Sequence, residues 1–154
     1  MQDNQREELI YLSGLFDGEG CIMIQKDTRV SENDNGKGWN PIYSCGIRLG
    51  MVNKESVTRF LEVFEVGQIA LEKHRANQRP IYRWQVRAKE QVIHVLKLII
   101  PFLRLKKPQA ILAMRFYEET FSRRGTFLTK DHLQKREDFF QQMKKMNAVG
   151  IAAY

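Results

Sequence analysis

The chain has 154 residues, of which 43% are hydrophobic, and carries 25 basic against 18 acidic side chains. This length and apolar content are typical of one compact domain with a real core, and they exclude wholesale disorder. The formal net charge of +7 favours a polyanionic partner, with nucleic acid ahead of an anionic membrane surface.

Periodic apolar residues and turn residues divide the chain into helices and hairpins. The first half predicts two strands between two helices: a helix from Glu7 to Phe16, a strand from Cys21 to Ile24, a polar loop or hairpin tip from Thr28 to Asn40, a strand from Pro41 to Val52, and a second helix after Asn53. Asn53 is the expected N-cap of that second helix. Gly18 and Gly20 are expected to end the first helix.

The second half of the sequence predicts another pair of strands, followed by three helices. It predicts a strand from Gly67 to about His74, a turn at Ala76-Asn77-Gln78, a strand from Pro80 to Ala88, and helices over Lys89 to Leu103, Pro108 to about Phe121, and about Thr129 to Met146. The order αββαββα predicts an α+β fold, in which helices cover one face of a four-stranded antiparallel sheet. We expect one domain over residues 1–154, with a core at about 7–121 and a helical extension at about 122–154.

Cysteine content and hydropathy bear on location. Two cysteines, Cys21 and Cys45, are too few for a disulfide framework or a four-thiolate zinc site. We therefore expect an intracellular, reducing compartment, either the cytoplasm or nucleoid or an organelle such as a chloroplast or mitochondrion. No apolar run reaches the ~20 residues that span a bilayer, and the polar N-terminal stretch is unlike a signal peptide, so no membrane partner is expected.

The strongest signal is the nine-residue segment at the end of the first predicted helix, Leu12-Ser13-Gly14-Leu15-Phe16-Asp17-Gly18-Glu19-Gly20. Ser13 and Gly14 have little or no side chain, so a second helix could approach closely there. Asp17 and Glu19 add negative charge to a helix end that already carries a partial negative charge. A divalent cation such as Mg²⁺, which prefers oxygen ligands, would resolve that conflict. The alternative is a helix that simply ends in an acidic glycine turn.

This segment resembles the motif that names the LAGLIDADG homing endonucleases. Five residues match the family pattern directly: Leu12, Gly14, Leu15, Asp17 and Gly20. Ser13 stands for the usual Ala, and Glu19 replaces the usual second Asp with another carboxylate. The resemblance covers about residues 7–121. It implies site-specific double-strand DNA cleavage, as in intron homing, by metal-dependent phosphodiester hydrolysis. Mg²⁺ is the implied cofactor, with Mn²⁺ or Ca²⁺ able to replace it for binding.

The resemblance also implies how the motif residues work. Two motif helices would pack side by side, with Leu12, Ser13, Gly14 and Asp17 at the interface between them. Glu19 would act as the catalytic metal ligand, and the carbonyl of Gly18 would be a further ligand. Because the sequence contains one copy of the motif, the complete site implies a homodimer with Glu19 from each subunit near the two-fold axis. Its DNA target would then be long and roughly palindromic.

Two further positions match the family pattern. The segment Pro101-Phe102-Leu103-Arg104-Leu105-Lys106 resembles the family's helix junction and puts Lys106 in place of an active-site lysine, whose ammonium could neutralise charge at the cleaved phosphate. A surface lysine at a helix start is the alternative. Asn53 stands where related enzymes often carry Gln, and it could either position a water or act only as an N-cap. Val57 departs from the family, which often has a basic residue there, although Arg59 is nearby.

Alternation along the strands assigns polar residues to one exposed sheet face, which could read bases in the major groove. The DNA-binding candidates on this face are Gln25, Ser44, Arg48, Glu72, His74, Arg83, Gln85 and Arg87. Arginine suits guanine and glutamine suits adenine. Lys26, Arg29 and Lys37, around the first hairpin tip, are candidates for phosphate contacts. A solvated polar face without a ligand is the alternative.

Two other functions on the same fold stay open at this point. One is an RNA maturase or splicing cofactor, a role that some family members hold. The other is a DNA-binding regulator that does not cleave. The presence of both Asp17 and Glu19 argues against simple loss of cleavage, but it does not separate cleavage from a role in splicing.

Overall fold

A computed structural model describes residues 3–28, 40–72, 79–120 and 128–149. Its elements in chain order are α1 (Asp3–Glu19), β1 (Gly20–Asp27), β2 (Ile42–Met51), α2 (Lys54–Phe64), β3 (Gln68–Glu72), β4 (Ile81–Val86), α3 (Lys89–Ile99), α4 (Lys107–Glu119) and α5 (Lys130–Val149). This order confirms the predicted α+β class and the αββαββα core with further helices. Most of the predicted loop at 28–40, the turn at 76–78, the end of the fourth predicted helix at Phe121 and the tail after 149 lie outside the described residues.

The four strands form one antiparallel sheet in the order β1-β2-β4-β3. The two hairpins meet along β2 and β4, where Leu49 lies opposite Trp84. Strand side chains alternate between the two sides of a sheet, so this register fixes which residues share a face. Leu49 and Trp84 are fully buried beneath the helices. The strand residues that alternate with these buried ones point to the other side of the sheet, which we call the open face.

Aromatic side chains fill the centre of the helix-covered face. The ring centroid of Trp84 lies 5.2 Å from that of Phe60 and 5.7 Å from that of Phe64. The indole N–H of Trp84 donates to the carbonyl of Val66 at 2.9 Å, so its one polar atom is satisfied. Gly67 follows with φ of +90°, and a Cβ there would lie 2.8 Å from the indole nitrogen. Only glycine fits this turn into β3 without displacing the tryptophan.

Helix α1 extends further than the sequence suggested. It begins at Asp3, includes Gly18 and ends at Glu19. Gly20 follows as the first residue of β1, and an added Cβ there would lie 2.5 Å from the carbonyl oxygen of Phe16, so this close approach requires glycine. The chain therefore turns directly from the helix into β1, and Glu19 lies at the boundary between them.

Helix α3 is shorter than predicted, because it ends at Ile99 rather than at Leu103. Ile100 still donates its backbone N–H to the carbonyl of Leu96, but Pro101 has no N–H to continue the helix. The backbone N–H groups of Phe102 and Leu103 instead close a turn by donating to the carbonyl of Ile99, at 2.9 and 3.0 Å. This turn directs the chain toward the C-terminal end of α1.

The extension predicted after residue 121 contains α5, which packs against β1 and α4. Phe139 and Met143 on its inner side are buried, with 4% and 1% of their surface exposed. Near its C-terminal end, the side-chain amide of Asn147 donates to the carbonyl of Ile22 in β1 at 2.9 Å. Helix α5 therefore completes the helix layer over the outer strand of the first hairpin.

A charged cluster fixes the other half of α5 to the same hairpin. Glu137 accepts a hydrogen bond from the ammonium of Lys26 at 2.7 Å and another from the hydroxyl of Tyr43. Gln141, one turn further along α5, donates to its second oxygen at 2.8 Å. Hydrogen bonds from Gln141, then Lys26 and then Tyr43 lower the pKa of Glu137 to about 2. The carboxylate is thus held in its charged form.

In the part of the chain that the structure describes, no helix combines the length and the apolar composition needed to cross a membrane.

Candidate functional site

The C-terminal end of α1 presents the Glu19 carboxylate to solvent. Glu19 is the last residue of the helix and is exposed. No hydrogen bond or ion pair to Glu19 is present among the described residues. The helix end adds a partial negative charge beside this carboxylate. Gly18, which is also exposed, lies in the last turn, where backbone carbonyls lack partners within the helix. This corner of the chain offers oxygen atoms and attracts cations.

Asp17, by contrast, is turned inward. It is buried, and its two carboxylate oxygens accept hydrogen bonds from the backbone N–H groups of Arg104, at 2.7 Å, and Lys106, at 2.9 Å. The carboxylate therefore fixes the segment before α4 to the end of α1. The structure thus shows Asp17 in a contact within the chain, and its predicted place at a helix–helix interface stays a prediction.

The same contacts bring Lys106 to the end of α1. Its ammonium donates a hydrogen bond to the backbone carbonyl of Asp17. Glu19 and Lys106, which are 87 positions apart in sequence, therefore share one corner of the molecule. A cation at a helix C-terminus is favourable, and this one adds a donor beside the exposed carboxylate.

The buried and exposed sides of α1 contain other motif residues than predicted. Leu12 and Ser13 are fully buried in the chain's own core, so they have no surface left for a second helix. The prediction that they line a helix–helix interface is wrong for this reason. Gly14 is exposed as expected, and a Cβ added there would meet nothing within 4 Å.

Residues that the sequence analysis missed lie beside Gly14. Ile10 and Tyr11 are 43% and 59% exposed. Gly14 follows Ile10 by four residues and Tyr11 by three, and Gly18 follows Gly14 by four, so all of them share one side of the helix. We call Ile10, Tyr11, Gly14 and Gly18 the outer stripe of α1. Two large apolar side chains at this spacing, on the side away from Leu12, were the available signal.

Asn53 acts as the helix cap. Its side-chain oxygen accepts a hydrogen bond from the backbone N–H of Ser56 at 2.8 Å, with extended backbone geometry at Asn53 itself. The capping prediction is confirmed, and the water-positioning role stays a prediction. Val57 is fully buried, while Arg59 bonds to Glu8 at 2.6 Å on the flank of α1.

The open face of the sheet carries most of the predicted DNA-binding residues. One row across the strands places Arg48 between Cys21 on β1 and Gln85 on β4. In the row toward the end of β2, Gly50 lies opposite Arg83. In the rows toward the start of β2, Met23 lies opposite Gly46 and Gln25 lies opposite Ser44. Arg87 follows the end of β4 and is exposed. The structure thus groups Arg48, Arg83, Gln85 and Arg87 around a shallow depression of about 40 Å³.

Arg83 has a partner on this face. Both of its terminal nitrogens pair with Glu72 on β3, and the distance from Nη2 to Oε2 is 2.6 Å. Burial, and then repulsion from Arg48, lower the pKa of Arg83. Arginine nevertheless keeps its charge in proteins. One negative and two positive side chains therefore lie close together on the open face.

Lys26 does not belong to this face. It lies opposite Tyr43 on the helix-covered side of the sheet and forms an ion pair with Glu137 of α5 at 2.7 Å. The predicted phosphate contact of Lys26 is therefore corrected to a structural contact. Arg29, Lys37 and His74, the other three candidates near hairpin tips, lie outside the described residues.

The donor set of the Glu19 corner suits a hard divalent cation. Such ions take carboxylate and backbone carbonyl oxygens, and Glu19 and Gly18 provide one of each. Among the described residues, no group of three or more His, Cys, Asp or Glu side chains could hold a metal ion.

Known proteins share both the sequence pattern and the fold. Residues 12–111 match the family model described as LAGLIDADG endonuclease. The structure is similar to the homing endonuclease I-CvuI in complex with the I-CreI target, with a TM-score of 0.69 and 14% identity over 93% of this chain and 83% of that one. No curated protein sequence matches the chain.

Two further structures support the same fold. The archaeal intron-encoded homing endonuclease I-Vdi141I, complexed with DNA, gives a TM-score of 0.70 and 15% identity over 95% of this chain and 86% of that one. The homing endonuclease I-TnaI gives a TM-score of 0.64 and 15% identity over 92% of this chain and 97% of that one.

Proposed function

Because the family model matches more than half of its residues, the chain belongs to the LAGLIDADG endonuclease family, and we propose that it is a metal-dependent endonuclease that cleaves specific double-stranded DNA sites as a homodimer. The observation that carries this proposal is that the exposed Glu19 carboxylate, which has no partner among the described residues, and the Lys106 ammonium both lie at the end of α1. A carboxylate that holds a divalent cation and a lysine near the phosphate are groups that promote phosphodiester hydrolysis.

Each residue of this corner has a distinct role in the proposal. Glu19 and the Gly18 carbonyl would hold a divalent cation, for which Mg²⁺ is the proposed cofactor. Such a cation, when bound, supplies an activated water and stabilises the leaving oxygen. Lys106 places a positive charge where negative charge develops on the phosphate. Asp17 acts on the reaction only indirectly, by fixing the backbone of Lys106 to α1.

The outer stripe of α1 supports the homodimer. Ile10 and Tyr11 are large apolar side chains on a surface that a lone monomer would leave in water. Gly14 has open space around it, so the backbone of a second helix could approach closely at that point. Because α1 ends in Glu19, contact between two copies of this stripe would bring two Glu19 carboxylates to one axis.

The open face supports DNA as the substrate. A two-stranded β-ribbon fits the major groove, and arginine and glutamine are the side chains that read guanine and adenine there. Arg48 and Gln85 lie opposite each other on neighbouring strands, within reach of adjacent base pairs. Glu19 directly precedes β1 of this same sheet, so bases on the open face and phosphates at the corner could be contacted together.

Cleavage of selected DNA tests the proposal. The full chain is used to select duplexes from a randomised library, and selected sites are then incubated with Mg²⁺. We expect double-strand cleavage by the unaltered chain and at least about a hundredfold slower cleavage by Glu19→Gln, with DNA affinity retained. Glu55→Gln, an exposed acid in the first turn of α2, is the matched control and should cut normally. Unchanged cleavage by Glu19→Gln, or no cleavage by the unaltered chain, would contradict the proposal.

A further inference from the structure

The open face contains one acidic residue in a position that bears on base recognition. Glu72 lies on β3 two residues beyond Ala70, which is directly opposite Arg83 on β4. Diagonal neighbours of this kind share a face and are within reach of long side chains. Each oxygen of the Glu72 carboxylate meets one terminal nitrogen of Arg83, with 2.6 Å between Nη2 and Oε2. The contact is therefore two-pronged and fixes the plane of the guanidinium.

This arrangement leaves a second edge of the guanidinium for a ligand. An arginine has five N–H donors, and Glu72 engages the edge formed by the two terminal nitrogens. The N–H at Nε and the adjacent N–H at Nη2 form the other edge. Among the described residues, no acceptor is bound to Nε of Arg83. Two parallel donors of this kind match the O6 and N7 acceptors of guanine in the major groove.

The surroundings make Glu72 necessary for that orientation. The residues directly opposite Arg83 are small on both sides, Gly50 on β2 and Ala70 on β3, so neither offers a large side chain against the guanidinium. Arg48, diagonal to it on β2, repels it. Glu72 is the acidic side chain that pairs with Arg83. Without this carboxylate, the guanidinium would keep its charge and lose its fixed direction.

We propose that Glu72 is a positioning residue that sets DNA specificity, by holding Arg83 so that it reads guanine at one position in each half of the target. The inference rests on the proposed function and adds a residue that determines sequence preference. Glu72 also brings negative charge toward DNA. This charge lowers the binding affinity for every sequence that does not offer Arg83 a guanine. Specificity is then a difference between one favoured contact and many penalised ones.

Selection of DNA from a randomised duplex library tests this role. All chains carry Glu19→Gln, so that bound DNA is not cut. We expect the parent chain to enrich guanine at one position in each half-site, and Arg83→Ala to identify that position by losing it. Glu72→Ala should reduce the guanine preference there by about tenfold while the other positions stay selected. Glu72→Gln, which keeps one oxygen acceptor, should fall between the two.

Salt dependence gives a second readout that a merely structural role would not move. Removal of the Glu72 charge should strengthen binding to unrelated DNA, and the salt slope should steepen by about one unit for each subunit, because one more cation is available to phosphates. The matched control is Glu55→Ala, which makes the same charge change on α2 and should leave the selected sequence unchanged.

The outcomes separate the two levels of the proposal. Retention of the guanine preference by Glu72→Ala, or an equal loss of preference at all positions, would overturn the role of Glu72 while leaving the nuclease intact. A parent chain that selects no sequence at all would contradict the proposed function and, with it, this inference.

Discussion

Helices α1 and α5 are attached to the body of the protein in the same manner, but their outer sides differ. Each buries apolar side chains, and each is fixed by one carboxylate that accepts several hydrogen bonds, Asp17 in α1 and Glu137 in α5. Among the described residues of α5, no large apolar side chain is exposed. Helix α1 exposes Ile10 and Tyr11.

This difference shows that the fold itself does not require an apolar outer surface on a packed helix. Polar outer residues keep α5 soluble while Phe139 and Met143 attach it to the sheet. The outer stripe of α1 therefore has another purpose, and its two glycines and two large apolar residues suit contact with a second helix. Under the proposed function, the inner side of α1 builds one chain and its outer stripe joins two.

The largest expected effect is on the inner side of α1. Leu12→Ala should lower the free energy of unfolding by about 3 kcal/mol, because it leaves a cavity at a fully buried position. Denaturant titration at low protein concentration measures this. Ile10→Ala, on the outer stripe, should change the same quantity by less than about 0.5 kcal/mol. Equal effects at the two positions would erase the distinction between the two sides.

Substitutions on the outer stripe should change self-association rather than the stability of one chain. Ile10→Asp should weaken self-association by at least about a hundredfold, because it places an unpaired charge in an apolar contact that occurs in both copies. Sedimentation velocity across protein concentrations measures the change, and circular dichroism should show an intact fold. Leu71→Asp is the control, since Leu71 on β3 is 48% exposed against 43% for Ile10. Unchanged association of Ile10→Asp would mean that the outer stripe is not the interface.

The contacts of Glu137 that attach helix α5 should make the free energy of unfolding depend on pH. The pKa of Glu137 is lowered from 4.5 to about 2 in the folded chain. A carboxylate with a lowered pKa stabilises the fold fully above its unfolded value and loses that contribution as pH falls toward the folded value. At pH 7, Glu137→Gln should be less stable by about 1–2 kcal/mol, after allowance for solvent screening. The difference should shrink below pH 4.5.

Denaturation of both chains between pH 7 and pH 3 measures this difference, with Glu118→Gln on α4 as a control that should show no such trend. A stability difference that is independent of pH would indicate that the Glu137 charge does not hold α5 in place.

The smallest expected effect is a gain in the free energy of unfolding from a substitution on the inner side of α1. The hydroxyl of Ser13 is buried and has no hydrogen-bond partner among the described residues. Ser13→Ala removes that unsatisfied group and should raise the free energy of unfolding by up to about 1 kcal/mol. Thermal unfolding detects this, and a clear loss of stability would show that the hydroxyl has a partner in solution.

Local patterns predicted most of the fold and part of the site. Strand alternation placed Trp84 inward and Arg83 on the open face, since the two-residue period of a strand is visible in the sequence. The cap at Asn53 was also predictable, because it acts on a backbone N–H only three residues away. The motif resemblance, rather than any local pattern, led to Lys106.

The remaining features depend on contacts between distant parts of the chain. Helical periodicity shows that α1 has an apolar side, but not that Leu12 and Ser13 are covered by the chain itself. Lys26 appeared to be a surface cation, because its partner Glu137 lies 111 positions away. The pairing of Glu72 with Arg83 depends on a diagonal across β3 and β4, and so on their exact register.

Mixing experiments test the central claim, that two copies of Glu19 complete one active site. Unaltered chain and Glu19→Gln chain are refolded together at a series of ratios and constant total concentration, and double-strand cleavage with Mg²⁺ is measured. If both subunits must supply Glu19, activity should follow the square of the unaltered fraction, falling to about a quarter in an equal mixture. Activity that falls in direct proportion to the unaltered fraction, to about half in an equal mixture, would show that one chain cuts alone and would contradict the account.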